Sequence, residues 1–233
     1  MVGRRHRWLA AAALLACSLF AWAQPAPPVA LVEPPAGGSG PLLVLLTGVD
    51  GVPNHRAQAE AFAREGWLVH VVDSNRLMPD GTAAGLRAVL QRSLALPEVR
   101  SKRAALVGYS LGGWIVLAHG NRMPDLVAAA VACYPSTMRA GEPRAFLADP
   151  PATVPTLMLA GVKDTYMGCC TIERARALAA AAALPGVGAS LRLVEYPEAD
   201  HGFVLPAYPQ VYRPDDAADA LRQALEHLRR GGF

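Results

Sequence analysis

A serine, an aspartate and a histidine, in that chain order, carry the chemistry this sequence can perform. Ser110 sits in Gly108-Tyr109-Ser110-Leu111-Gly112-Gly113, directly after the apolar run at residues 104–107. A strand that turns sharply into a helix through Gly-x-Ser-x-Gly lifts the serine hydroxyl out at the end of a sheet, and the glycines let strand and helix pass closer than Cβ atoms permit. The helix start then aims N–H groups at negative charge developing beside that hydroxyl. A hydroxyl is a weak nucleophile until a base takes its proton and a third group orients the base. Asp164, in Gly161-Val162-Lys163-Asp164 after the apolar run at 156–160, stands where an orienting carboxylate belongs. Asp149 is the second choice, since it lies in a proline-rich stretch with no strand directly before it. His201 follows the last expected strand, in Tyr196-Pro197-Glu198-Ala199-Asp200-His201-Gly202-Phe203. Of the six histidines, His70 falls inside a strand, His119 and His227 on helices and His6 near the start, which leaves His55 as the rival base.

Such a trio performs acyl transfer. The tetrahedral oxyanion of that reaction needs two N–H donors. One is Leu111, directly after the serine; the other is expected from the loop Thr47-Gly48-Val49-Asp50-Gly51, with Val49 N–H as the choice. No metal or organic cofactor is required by this chemistry. Activity is expected to fall on the acid side, as the imidazole at 201 takes up a proton.

The elements that must hold these groups alternate regularly. Residues 42–46, 67–72, 104–107, 127–134 and 156–160 are short, mostly apolar runs of the kind found in buried strands, and 191–195 reads as a last strand. Between them, helical spacing appears at 55–64, 82–94, after Ser110, at 171–184 and at 215–229. Alternation over most of the chain predicts one α/β domain, at 41–233: a single doubly wound, mostly parallel sheet with helices on both faces. In such sheets ligands sit beyond the carboxyl ends of the strands, where all three residues fall. Between Pro135 and Pro155 there is no room for a helical lid domain, so the pocket should be open. Tyr109, Trp114, Tyr134, Tyr166, Met167 and Phe203 are candidates for its walls, the alternative for each being a place in the core. Asp50 either meets a polar or cationic substrate group or caps its own turn.

The 233 residues are 52% hydrophobic and 18% charged, which excludes a disordered or nucleic-acid-binding tail character. The net charge of +3 comes from Arg4, Arg5 and Arg7; beyond them, basic and acidic residues are equal in number. A neutral body offers no electrostatic pull on nucleic acid or an anionic membrane. The basic stretch at 4–7, the apolar run at 8–21 and Ala21-Trp22-Ala23 read as a signal peptide (residues 1–23), with Gln24 starting the mature chain. The run is short for a membrane span. Export to the periplasm or medium is expected; a lipid anchor at Cys17 fits less well, because apolar residues continue after it, and a twin-arginine route is disfavoured by His6 and Arg7. Residues 24–40 are a proline- and glycine-rich leader with a short edge strand near 29–32. Of the remaining cysteines, Cys133 is expected to pair with Cys169 or Cys170, the alternative being three inert buried thiols. Adjacent cysteines without a partner at ligand spacing do not match a zinc site.

From residue 41 to the C-terminus the chain resembles the dienelactone hydrolase-like branch of the α/β-hydrolases. The likeness is carried by Gly108 to Gly113 as nucleophile elbow, Gly161 to Asp164 as acid loop, and Tyr196 to Phe203 as histidine loop. It implies a serine hydrolase with the α/β-hydrolase fold, acting on a small-molecule ester. Departures bear on the substrate. The family enzyme proper uses a cysteine nucleophile, a nearby glutamate and arginines that clamp a substrate carboxylate. Here Ser110 replaces the cysteine, Gly48 falls near the glutamate, and Leu205 stands where one arginine would follow the histidine. Arg76 is placed to supply another but reads as a solvated loop charge. An ordinary carboxylic ester is therefore expected over dienelactone. Two rival readings are a peptidase or amidase on the same trio, and a non-catalytic exported binding protein on this scaffold.

Overall fold

A computed structural model describes residues 29–78 and 82–233; the expected signal peptide (residues 1–23, with Cys17) and residues 24–28 of the expected leader lie outside the described residues. Its centre is a seven-stranded sheet in the order β1-β3-β2-β4-β5-β6-β7, formed by β1 (Val29–Glu33), β2 (Leu42–Leu46), β3 (Leu68–Val72), β4 (Ala104–Tyr109), β5 (Val127–Cys133), β6 (Thr156–Gly161) and β7 (Leu191–Tyr196). All neighbours run parallel except β1, which pairs antiparallel with β3 at one edge. The leader's edge strand is thus part of the sheet, and the folded unit starts ahead of residue 41.

Strand alternation divides the core in two. Leu42, Val44 and Leu46 face one side, where they pack with α2 (Thr82–Leu94), α3 (Leu111–Ala118) and α5 (Ile172–Ala182). Leu43 and Leu45 face the other, against α1 (Arg56–Arg64) and α6 (Pro214–Arg229). The strands β2 to β6 are buried along their whole length, as continuous apolar runs demand when both faces are covered. Edge strand β7 is only partly buried, with Arg192 and Glu195 exposed to solvent.

Element ends shift by a residue or two from expectation, as frayed termini do. Among the elements not expected are 3-10 turns at Val52–His55, Ser74–Leu77 and Tyr166–Gly168 and the helix α4 (Pro143–Ala148), six residues started by Pro143 and capped by the Glu142 carboxylate. Between Pro135 and Pro155, α4 is the helix present among the described residues, so no lid domain covers the sheet edge. No described helix is long and apolar enough to cross a membrane.

The cysteine pairing differs from expectation. Cys169 and Cys170 are bonded to each other, and Cys133 is a buried free thiol. The reason lies in side-chain direction. Cys133 ends β5 facing the α1/α6 side, among Tyr109, Leu159 and Phe203. Cys169 instead belongs to the loop after β6, where its carbonyl accepts from Thr137.

Candidate active site

The turn between β4 and α3 is built by close approach. A Cβ on Gly108 would fall 2.2 Å from the Gly112 carbonyl oxygen, and one on Gly112 would fall 2.3 Å from that of Leu46. Between these glycines, Ser110 is forced to φ +50°, a region non-glycine residues seldom occupy. Its N–H donates to Cys133 C=O (3.0 Å), and its own C=O accepts from Trp114 and Ser136. The hydroxyl is thereby lifted clear of the sheet. Leu111 is the first residue of α3, so its N–H has no acceptor within the helix.

His201 Nε2 lies 3.0 Å from Ser110 Oγ, and His201 Nδ1 lies 2.7 Å from Asp164 Oδ2. Asp164 is buried, and its other oxygen accepts the Tyr166 N–H at 3.0 Å. A carboxylate can only accept, so Nδ1 carries the proton and Nε2 faces the serine as an acceptor. The ring is held on both sides: Tyr166 stacks on it (4.5 Å, 8°) and Tyr134 meets it edge-on (4.8 Å). The two loops that bring aspartate and histidine together are tied by Lys163 N–H to Ala199 C=O (3.0 Å) and by the Lys163–Glu198 ion pair. Asp149 is exposed at the end of α4 and takes no part.

Beside Ser110 opens a pocket of about 400 Å³. Its lining includes Gly48, Val49 and Asp50 from the loop after β2, Tyr134, Tyr166 and His201, and Leu205, Tyr208, Gln210 and Val211 from the segment after the histidine. Of the expected wall residues, Tyr134 and Tyr166 are there. Tyr109 and Phe203 are not: both are buried in the α1/α6 core, since each points under the sheet edge and not over it. Trp114 stacks on Phe146 (5.5 Å), and Met167 is 77% exposed on the surface. Asp50 does not cap its own turn; its Oδ2 accepts from the Tyr208 hydroxyl at 2.8 Å, and Asn54 in turn donates to that hydroxyl. Burial and the adjacent Asp50 push the Tyr208 phenol up to about 12. The Tyr134 hydroxyl is buried with no hydrogen-bond partner among the described residues.

Asp164, His201 and Cys170 offer three donor atoms within 4.8 Å of one another. They do not make a metal site, because the Cys170 sulfur is bound in a disulfide and the other two groups already satisfy each other.

A family model described as "Dienelactone hydrolase family" matches residues 72–231. The chain belongs to the dienelactone hydrolase family. It is a hydrolase. A Synechocystis sp. protein assigned as a carboxymethylenebutenolidase is 27% identical, over 84% of this chain and 88% of its own. Among solved structures, a Klebsiella pneumoniae protein assigned as a dienelactone hydrolase superposes with TM-score 0.70 at 22% identity, covering 85% of this chain and 91% of that one. The propionate-bound Est2 esterase of Thermogutta terrifontis gives 0.61 at 18% identity, covering 87% and 89%. At these identities the two structures establish the fold. Against the family pattern, Gly48 and Leu205 both line the pocket, whereas Arg76 is exposed and outside it. Among the described residues that line the pocket are Asp50 and Asp200 but no lysine or arginine.

Sequence reasoning missed Tyr208, Asn54 and Gln210. They carry no motif, and the Asp50–Tyr208 contact joins residues 158 apart in the chain.

Proposed function

We propose that this protein is an exported esterase that cleaves carboxylic esters through an acyl-enzyme on Ser110. The observation that carries this reading is the continuous line of hydrogen bonds from Asp164 through His201 to Ser110, opening into an accessible pocket. Ser110 Oγ attacks the ester carbonyl while His201 Nε2 takes its proton; Asp164 holds the ring in the tautomer that can do so and stabilises the imidazolium that forms. The Val49 and Leu111 N–H groups bind the oxyanion. His201 then returns its proton to the leaving alkoxide, and water enters by the same route to release the acid. The names of the related esterases and the family itself support an ester as the substrate. A pocket wall that has carboxylates and, among the described residues, no lysine or arginine favours uncharged esters over those bearing a carboxylate. The basic stretch and apolar run of residues 1–23, which read as a signal peptide, support export.

Purified protein given a fluorophosphonate probe should be labelled at Ser110 and should hydrolyse p-nitrophenyl butyrate. Ser110→Ala should abolish labelling and lower kcat by about 10⁴-fold or more. A Ser110→Ala protein that turns over at the parental rate removes the nucleophile, and a folded parent that neither labels nor hydrolyses leaves a binding protein on this scaffold. Within the substrate reading, a carboxylate-bearing ester turned over faster than its neutral match overturns the charge preference.

A further inference from the structure

His55 was the rival for the base, and it does not reach Ser110. Its side chain is fully buried at the end of the 3-10 turn Val52–His55, just before α1, and lies back across the loop of residues 48–51. The Gly48 N–H donates to His55 Nε2 at 3.3 Å, and His55 Nδ1 lies 3.0 Å from the Gly51 carbonyl oxygen. An amide N–H can only donate and a carbonyl can only accept. The ring must therefore be neutral, with its proton on Nδ1 and an open lone pair on Nε2. Both ring nitrogens are spent on the same four-residue loop, one at each end.

That loop has reason to need a fastening. Gly48 and Gly51 give it wide backbone freedom, and Gly51 sits at φ +78°. Between the two fastened residues lies Val49, whose N–H the proposed mechanism uses. Its carbonyl is held by Asn75 (3.1 Å), and Asp50 by Tyr208, so the ring of His55 supplies the tie on the inner side. The Gly48 bond also removes the neighbouring N–H from competition for the oxyanion. An imidazole used only as filler would be a poor choice here, since a leucine would fill buried space without desolvating two polar atoms. Tyr109 packs against the ring at 5.0 Å, and Asp50 Oδ1 lies 3.9 Å from Nδ1. Burial lowers the His55 pKa, with Asp50 acting weakly against it, and so supports the neutral ring.

We infer that His55 is a positioning residue: held as the Nδ1–H tautomer, its ring staples the 48–51 loop and fixes the Val49 N–H for transition-state binding. This rests on the esterase reading, but the tautomer does not, which allows the two to fail separately. In the parent, ¹⁵N-histidine NMR at neutral pH should show His55 with its proton on Nδ1 and a bare Nε2; a proton on Nε2 overturns the inference whether or not esters are cleaved. In kinetics with p-nitrophenyl butyrate, His55→Leu should lose about 10- to 100-fold in kcat, the scale expected of a donor displaced by ~1 Å, with KM within about twofold. Binding of a trifluoromethyl ketone, which forms a tetrahedral adduct, should weaken by the same factor. His55→Gln, whose side-chain oxygen can accept the Gly48 N–H, should recover most of the loss. A folded His55→Leu with parental kcat sinks the proposal, as does a folded His55→Gln no better than a folded His55→Leu. Should His55→Leu fail to fold, the parent's tautomer and a folded His55→Gln, which should then hold kcat within a few-fold of the parent and sinks the proposal if it does not, still decide.

Discussion

Asp164 uses both carboxylate oxygens, one on the His201 ring and one on the Tyr166 N–H. In Asp164→Asn the side-chain oxygen can serve only one of these, and the Tyr166 N–H demands it. The amide NH₂ then faces His201 Nδ1 and forces the proton to Nε2, the wrong side for accepting from Ser110. The expected outcome is a kcat about 10⁴-fold lower in a protein that melts near the parental temperature. Steady-state kinetics and a thermal melt check this, and a loss under tenfold would separate the aspartate from the chemistry. At this scale the sequence was informative about the proposed reacting groups, because Ser110, Asp164 and His201 occupy the loops after β4, β6 and β7. It was uninformative about the aromatic residues: Tyr134 and Tyr166 line the pocket while Tyr109 and Phe203 are buried, and nothing in residue type distinguishes them.

At the scale of elements, the elbow depends on β4, α3 and β2 coming closer than side chains permit. A methyl group on Gly112 would press on the backbone of Leu46, which has no freedom to move inside the sheet. That glycine's N–H also donates to Thr47 C=O (3.0 Å), joining α3 to the loop that contains Val49. Gly112→Ala should therefore lower stability by about 2 kcal/mol or more, despite alanine's better helix propensity, and should lower kcat as well. Urea unfolding and ester turnover measure the two; an unchanged midpoint with full turnover would mean the approach is looser than described. The strand and helix pattern was readable because buried parallel strands are continuous apolar runs. The disulfide was not, since pairing depends on side-chain direction at the ends of elements: Cys133 is buried in the α1/α6 core, while Cys169 lies in the loop after β6, where its carbonyl accepts from Thr137.

For the whole molecule, pH is the most telling variable. Burial lowers the pKa of His55, His70, His119 and His227 in the folded protein. Each then binds a proton more readily when the chain is unfolded, near the ordinary histidine value of about 6.5. In the window below that value and above each native one, the unfolded state holds more protons, so stability falls as pH falls. Above about pH 7 all four are neutral in both states and contribute no slope. Unfolding free energies from urea titrations between pH 5 and 8 should be level at the alkaline end and decline below about 6.5; a level line throughout would contradict the burial of these rings.

The amino-acid order by itself determined the parallel sheet, the elbow at Ser110 and the chain order of serine, aspartate and histidine. Those features are local: each needs only the pattern of a strand and the few residues that follow it. Tertiary structure decided which aromatic residues face the pocket, that Asp50 meets Tyr208, that Cys169 bonds its neighbour, and that the ring of His55 turns back on the 48–51 loop and not toward the serine. Each of these is a question of direction at the end of an element, and direction is set by what packs against the residue from elsewhere in the chain.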